Sequence, residues 1–184
     1  MLCLIGKTAS GKDTIAKELV NKYGYKRIVT YTTRPIRDGE KEGVNYYYIS
    51  KDEFLRMIDN DDFAEWKKYK TVDGDWYYGV ALKDLDQSKK SILIVTPDGY
   101  KDIIDTLGYR PKSIYIYANN ETIIKRLSQR GDSREEALRR IHSDNKDFKD
   151  VALLVDKIVY NNAHDKLDDV ILKIIEYIDG GDKN

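Results

Sequence analysis

The sequence predicts an α/β fold, with a parallel β-sheet flanked by helices and a small mixed α+β lobe inserted into it. Short apolar runs bounded by charged residues, glycine or proline are typical of buried strands, and they occur at 1–5, 27–31, 91–95, 113–118 and 157–160. Segments with the apolar spacing of helices lie between them, at 12–23, 121–130 and 165–178. Strands that alternate with helices favour a parallel sheet covered on both faces.

Residues 38–80 interrupt this alternation. The segment is rich in tyrosine and acidic residues, and it contains the helical stretch "SKDEFLRMIDN". Its aromatic clusters "NYYYIS" and "DWYYG" suit a small antiparallel unit. We therefore expect one domain of 184 residues, in which residues 1–34 and 81–184 form the core and residues of about 35–80 form an inserted lobe.

Composition disfavours several classes of protein. Lys and Arg number 32, as do Asp and Glu, so no net charge draws the protein toward nucleic acid or an acidic membrane. No apolar run approaches the roughly 20 residues of a membrane-spanning helix. The single cysteine, Cys3, cannot form an internal disulfide, and the N-terminus lacks the layout of a secretory signal. We expect a cytoplasmic protein that binds neither nucleic acid nor membranes.

The first predicted strand runs directly into a glycine-rich loop, "GKTASGKDT" (6–14). The loop matches the phosphate-binding pattern G-x-x-x-x-G-K in the strand–loop–helix context that the motif requires. Gly6 and Gly11 allow successive N–H groups to point inward, and Lys12 can reach the outer phosphates of a nucleotide. The predicted nucleotide-binding residues of this loop are Gly6, Ala9, Ser10, Gly11, Lys12, Asp13 and Thr14.

Asp13 departs from the pattern, which asks for Ser or Thr after the lysine to contact magnesium. A carboxylate can hold a hydrated Mg²⁺ ion, so Asp13 is a candidate magnesium contact. It could equally be an acid that stabilises the N-terminus of the helix. Thr14 could bind a phosphate instead.

A second anion site is indicated by "TYTTRPIRDGE" (30–40). Pro35 disfavours helix at Arg34, and Asp38-Gly39 favours a turn, so we expect an ordered loop that follows a short strand. One guanidinium group can donate hydrogen bonds to two phosphate oxygens at the same time. Because the glycine-rich loop accounts for the phosphates of a donor, Arg34 and Arg37 are expected to bind the phosphate of an acceptor.

The motif "TTRPIRDGEKEGVNYYYI" (32–49) resembles the acceptor motif of the guanylate kinase family. The motifs "FAEW" (63–66), "YYG" (77–79), "LSQRGDSREEALRRI" (127–141) and "DKIVYNN" (156–162) follow in the family's order. The resemblance covers nearly the whole chain. It implies a P-loop nucleoside monophosphate kinase with a helical lid at about 128–147, which transfers the γ-phosphoryl group of ATP to GMP with Mg²⁺.

The resemblance also implies which residues bind GMP. The phosphate would contact Arg34, Arg37, Tyr46 and Tyr78, although some of the 15 tyrosines must be packing residues. Glu65 falls at the position of a carboxylate that reads guanine, because a carboxylate can accept from both N1–H and the N2 amino group. The alternative for Glu65 is an ordinary exposed glutamate. Thr30 matches a small hydroxyl position that helps to read the base.

Three positions depart from the family pattern. Val80 replaces a usual Ser or Thr, and Ile94 and Thr96 replace two usual acidic residues, with Thr96 remaining a candidate acceptor contact. Asp98 could supply a displaced carboxylate, or Pro97-Asp98-Gly99 could be a turn into the next helix. These departures motivate a kinase of another nucleotide or phosphorylated metabolite as the alternative. A non-catalytic binding module is a further alternative, which the intact phosphate loop disfavours.

The lid motif contains arginines that the resemblance assigns to the transferring phosphoryl group. Arg130 aligns without a gap, Arg140 aligns if the lid loop is one residue shorter, and Arg134 is a spare candidate. Cations that arrive when a lid closes stabilise charge and exclude water. The alternative is a solvated basic helix face paired with Glu135 and Glu136. The predicted catalytic residues are Lys12, Arg37, Arg130 and Arg140, and Arg130 is also expected to contact ATP.

Overall fold

The computed structural model describes residues 1–71, 74–86 and 88–180. In chain order the elements are β1 (Leu2–Ile5), α1 (Lys12–Tyr23), β2 (Lys26–Arg27), β3 (Thr30–Thr32), β4 (Tyr46–Tyr48), α2 (Lys51–Asp59), β5 (Phe63–Thr71), β6 (Gly74–Ala81), β7 (Ser91–Val95), α3 (Pro97–Leu107), β8 (Lys112–Tyr117), α4 (Asn120–Gln129), α5 (Arg134–Asp147), α6 (Val151–Leu154), β9 (Lys157–Tyr160) and α7 (Leu167–Gly180). Among these residues, no helix combines the length and apolarity needed to cross a bilayer.

The core sheet has the strand order β2-β7-β1-β8-β9, and its strands pair in parallel. Alternate residues of β1 face opposite sides: Cys3 and Ile5 pack in the cluster that includes α3, and Leu2 and Leu4 pack in the cluster that includes α1 and α7. Both faces of the sheet are therefore covered by helices. The predicted parallel sheet flanked by helices is confirmed.

A second sheet has the order β4-β3-β6-β5. Its β3–β6 and β6–β5 pairs are antiparallel, but β3 and β4 are parallel, so the expected antiparallel unit is a mixed sheet. The parallel pair arises because the arginine-containing loop between β3 and β4 runs back along the sheet before the chain re-enters it. Helix α2 covers this sheet through Phe54, which is fully buried and stacks on Phe63.

The apolar run at 27–31, expected as one strand, forms two strands in different sheets. Arg27 pairs with Ile92 in the core sheet, whereas Thr30 pairs with Tyr46 in the second sheet. Thr30–Thr32 thus pairs outside the core sheet, although it was expected within the core. A run of apolar residues indicates extended backbone, but it does not show that the chain changes its pairing partner within the run. The division into core, inserted lobe and lid stays a prediction, and its ranges include residues 72, 73, 87 and 181–184, which lie outside the described residues.

Candidate active site

A cleft of about 1110 Å³ opens beyond the carboxyl ends of β1 and β7, between the core sheet, the second sheet and α5. This edge of a parallel sheet is where α/β proteins commonly bind ligands. The predicted site residues that line the cleft are Gly6, Ala9, Lys12, Asp13, Thr30, Arg34, Arg37, Tyr46, Glu65, Tyr78, Thr96, Arg130 and Arg140. Ser10, Gly11 and Thr14 lie in or beside the loop without contributing to the described lining.

The glycine-rich loop has a backbone that requires its two glycines. Gly11 has φ of 99°, in the left-handed region, and a side chain there would run into the amide of Asn161. A Cβ at Gly6 would lie 2.6 Å from Ser10 Oγ and 2.8 Å from the carbonyl oxygen of Ile116. Substitution of either glycine would therefore disturb the loop.

The polar groups of the loop suit a phosphate ligand. Lys12 Nζ donates to the carbonyl oxygens of Gly6 and Lys7, at 2.6 and 2.9 Å, so the ammonium lies over the loop. Burial lowers the pKa of Lys12, and the nearby carboxylates of Asp13 and Asp144 oppose that shift. Ser10 Oγ is buried without a hydrogen-bond partner among the described residues. Ser10 does not line the cleft, so the desolvated ammonium of Lys12 is the group here that phosphate oxygens in the cleft would satisfy.

Two residues that the sequence analysis missed hold the loop from behind. Arg126 Nη1 on α4 donates to the carbonyl oxygens of Ala9 and Ser10, at 3.1 and 3.2 Å. Asn161 Nδ2, just after β9, donates to the same Ser10 oxygen at 2.8 Å. These contacts fix the carbonyl groups of Ala9 and Ser10, and with them the path of the loop backbone. Asn161 lies within a quoted motif and Arg126 directly precedes the lid motif, but the sequence analysis assigned neither of them a role.

The surroundings of Lys12 also suit a hydrated magnesium ion. Asp13, Asp144 and Asp147 line the same cleft and offer carboxylate oxygens, which Mg²⁺ prefers. Asp13 is exposed and pairs with Arg27 at 2.8 Å. No group of three or more His, Cys, Asp or Glu side chains arranged to hold a metal occurs among the described residues. This donor set fits an ion held mainly by nucleotide phosphates, with the carboxylates acting through its waters.

Arg34 is buried and held by Glu40, a partner that the sequence analysis missed. Its two terminal nitrogens donate to the two carboxylate oxygens of Glu40, both at 2.8 Å. The Tyr48 hydroxyl and the Arg37 backbone N–H also donate to Glu40, at 2.7 and 2.9 Å. Burial alone would raise the pKa of Glu40, but these hydrogen bonds lower it to about 2. Glu40 therefore stays ionised and fixes the orientation of Arg34.

Arg37, Tyr46 and Tyr78 complete this side of the cleft. The side chain of Arg37 is exposed, unlike that of Arg34. The rings of Tyr46 and Tyr78 meet edge to face at 5.9 Å, and the Arg34 guanidinium lies 5.3 Å from the centre of the Tyr46 ring. Burial raises the pKa of Tyr46 to about 12, so its hydroxyl stays protonated and can donate. Two arginines and two tyrosines thus line this part of the cleft.

Glu65 extends from β5 to the first turn of α3. A Cβ on Gly99 would lie 3.0 Å from Glu65 Oε2, so the carboxyl group rests against the helix backbone where a side chain is missing. Burial raises the pKa of Glu65 to about 7. A carboxyl group with a pKa near neutrality in a cleft is typical of a functional position. Thr30, half-buried at the start of β3, lines the same cleft.

The positions that depart from the family pattern have different surroundings. Val80 is fully buried in the core, whereas Ile94 lines the cleft. The Thr96 hydroxyl caps α3 by accepting from the Gly99 N–H at 3.1 Å. Asp98 is exposed in the first turn of α3, pairs with Lys101 at 3.0 Å and lies outside the described lining. This placement favours the turn into a helix over a displaced carboxylate.

The lid segment places Arg130 and Arg140 at the cleft. Arg130 follows α4 and is exposed. Arg140 Nε donates to Glu136 at 2.7 Å, and Arg140 also pairs with Asp132 at 3.3 Å, so it lines the cleft while bound to acids of its own segment. Arg134 is exposed at the start of α5, outside the described lining.

Comparisons with known proteins point to one family. The guanylate kinase family model matches residues 1–179. A guanylate kinase of Caldanaerobacter subterraneus is 31% identical over 95% of this chain and 84% of its own. One of Helicobacter hepaticus is 35% identical over 68% of this chain and 63% of its own length.

A solved structure supports the same fold. The crystal structure of guanylate kinase from Anaplasma phagocytophilum superposes with a TM-score of 0.69, at 23% identity, over 100% of this chain and 86% of that one. The predicted α/β fold of a P-loop kinase is thereby confirmed. With a family match that spans nearly all of its residues and relatives similar over most of their length, the chain belongs to the guanylate kinase family.

Proposed function

We propose that the protein transfers the γ-phosphoryl group of ATP to GMP, giving ADP and GDP. The observation that carries this proposal is one cleft that is lined by a phosphate loop with Lys12, by two arginines and by the half-buried carboxyl group of Glu65. A phosphotransferase needs a donor site and an acceptor site that share a cavity. Family membership supports the assignment as a guanylate kinase-type phosphotransferase.

On the donor side, the loop of residues 6–14 would bind the ATP phosphates through its N–H groups. Lys12 would leave the carbonyl oxygens of Gly6 and Lys7 to contact the outer phosphates. Mg²⁺ bound to these phosphates would neutralise part of their charge during transfer. Asp13 would reach the waters of the ion, after giving up part of its contact with Arg27.

On the acceptor side, Arg34, Arg37, Tyr46 and Tyr78 would bind the phosphate of GMP. Glu65 would accept hydrogen bonds from N1–H and the N2 amino group of guanine. Because the pKa of Glu65 is about 7 in the free protein, this carboxyl group is partly protonated at neutral pH. Donors on guanine would favour the ionised form, so binding of the base would lower that pKa. Thr30 and Thr96 line the same side of the cleft and complete the proposed acceptor site.

During transfer, Arg130 and Arg140 would stabilise the charge on the transferring phosphoryl group. Phosphoryl transfer is catalysed mainly by positioning and by electrostatic stabilisation. Arg140 shares the Glu136 carboxylate with Arg139, whose Nε donates to it at 2.7 Å.

An assay of ADP release across a panel of nucleoside monophosphates tests the proposal. GMP should be the efficient acceptor and AMP a very poor one, because sites built to hydrogen-bond a substrate reject analogues without that group by about 10⁴ to 10⁵. Lys12→Ala should nearly abolish transfer.

The same panel decides between the alternatives. Ile94 in the cleft lining motivates a kinase of another nucleotide or phosphorylated metabolite, and efficient use of AMP or a pyrimidine monophosphate would favour it. Transfer to no acceptor, with retained binding of a peptide partner, would favour a binding module. The cytoplasm stays the predicted compartment.

A further inference from the structure

Asp144 on α5 lies against the phosphate loop. Its Oδ2 accepts a hydrogen bond from the backbone N–H of Thr8 at 2.6 Å. The neighbouring Asn145 accepts from Lys7 Nζ at 2.5 Å. Helix α5 thus places a carboxylate on one of the N–H groups of the loop that the proposed function assigns to the ATP phosphates.

The charge of this carboxylate acts directly on the donor site. Asp144 is half-buried and lines the cleft together with Lys12, Asp13 and Asp147. Its electrostatic interaction with Lys12 favours the charged form of both groups. Burial is the largest influence and raises the pKa of Asp144 above its usual value, while the Thr8 N–H and Lys12 act in the opposite direction. A negative side chain therefore stands within reach of the ammonium that would bind the outer phosphates.

A triphosphate without a metal would meet two obstacles at this position. The Thr8 N–H cannot bond Asp144 and a phosphate oxygen equally well, and the carboxylate repels the phosphates, which carry charge of the same sign. A hydrated Mg²⁺ ion on the phosphates reduces that charge, and its waters can donate to a carboxylate. The same side chain thus opposes metal-free ATP and tolerates or assists its magnesium complex.

We propose that Asp144 makes the donor site select magnesium-complexed ATP over metal-free ATP. This role rests on the proposed function, because it requires ATP phosphates at the glycine-rich loop. Asp144 would act as a specificity-determining residue of that site.

Binding measurements with the β,γ-imido analogue of ATP test this role, by titration calorimetry in Mg²⁺ and in EDTA. Asp144→Asn keeps an oxygen that can accept from Thr8 N–H but removes the charge, whereas Asp144→Ala removes both. Asp105→Asn is the matched control, because Asp105 is exposed on α3, outside the described lining of the cleft. Titration of GMP into each variant checks that the acceptor side is folded.

The wild type should bind the analogue more tightly in Mg²⁺ than in EDTA. Asp144→Asn should reduce this ratio by about tenfold, through tighter binding in EDTA, since one charge–charge contact near a protein surface is worth at least that factor. Asp105→Asn should keep the wild-type ratio. Asp144→Ala should reduce the ratio of the two affinities to the same extent as Asp144→Asn.

Two results would overturn the role of Asp144. An unchanged ratio in Asp144→Asn means that its charge does not select the metal complex. Equal gains in Mg²⁺ and in EDTA in Asp144→Ala, without a gain in Asp144→Asn, mean that Asp144 only competes for the Thr8 N–H. Absence of analogue binding by the wild type in both conditions is a different result, which rejects the proposed function itself and this role with it.

Discussion

At the scale of single residues, Arg34 and Arg37 lie in one loop but differ in burial and partners. Arg34 is 4% exposed and bound by both oxygens of Glu40, whereas Arg37 is exposed. A charge-assisted contact with a phosphate is worth roughly 1.5 to 3 kcal/mol. Arg37→Ala should therefore raise the KM for GMP by about ten- to a hundredfold and leave the KM for ATP and the unfolding free energy nearly unchanged.

Arg34→Ala should differ from Arg37→Ala in stability. It leaves the Glu40 carboxylate without its main partner, and breaking such a pair costs about 3 kcal/mol of unfolding free energy. Urea unfolding of the two variants, alongside steady-state kinetics with GMP and ATP, measures both effects. Equal stability of the two variants would show that the Arg34–Glu40 pair does not hold the loop. A rise in the KM for ATP alone would reverse the assignment of the two phosphate sites.

Glu65 predicts a pH dependence of GMP binding. Its pKa of about 7 in the free protein means that protonation competes with guanine below neutrality. GMP affinity should therefore rise by about tenfold more between pH 6 and pH 8 in the wild type than in Glu65→Gln, which cannot ionise. Comparison with this variant cancels the ionisation of the GMP phosphate itself. The same slope in both proteins would show that Glu65 does not read the base.

The linkage of Glu65 to stability has the opposite sign. Its folded-state pKa is raised above the unfolded value, so the native state binds more protons between about pH 4.5 and pH 7. The contribution of Glu65 to the free energy of unfolding should be largest below pH 4.5, fall as the pH rises, and level off above pH 7. The difference in unfolding free energy between wild type and Glu65→Gln, measured across this range, isolates that contribution. A flat difference would mean that Glu65 is not desolvated.

At the scale of elements, the phosphate loop depends on α4 and on the end of β9. Arg126 binds two loop carbonyl oxygens and approaches Asn161 Oδ1 at 3.4 Å. Arg126→Ala should raise the KM for ATP by at least about tenfold while the KM for GMP changes little, because the loss of charge-assisted bonds lets the loop relax. Lys125→Ala is the control, since Lys125 is exposed on the same helix. Equal effects of the two variants would mean that only the charge of α4 matters.

At the scale of the whole molecule, the arrangement of the two sheets predicts that the cleft closes over a bound ligand. The cleft lies between the core sheet, the second sheet and α5, so a ligand that spans donor and acceptor sites contacts all three. Binding of a bisubstrate ligand should slow hydrogen exchange across residues 35–80 and 128–147, because closure protects these segments. Lids of this kind usually close on the microsecond to millisecond timescale. Equal protection with and without the ligand would remove the support for closure.

The amino-acid sequence by itself determined the phosphate loop of residues 6–14 between a strand and a helix, the arginine loop that follows it, and the apolar strands of the core. These features depend on neighbouring residues: glycines at fixed spacing turn the backbone, proline excludes helix, and apolar periodicity follows from one buried face. These features place Lys12, Arg34 and Arg37 among the candidates without knowledge of their contacts, whereas Glu65 became a candidate only through the resemblance to the guanylate kinase family.

Only the tertiary structure decided which groups support these candidates. Thr8 and Asp144 are 136 positions apart, and Asn161 reaches Ser10 across 151 positions. The split of the run at 27–31 between two sheets likewise depended on which strands were available for pairing. Such contacts depend on how helices and sheets pack, and an Asp or Arg within a helix shows no local sign of its partner, because its helical pattern is the same whether it faces solvent or a phosphate loop.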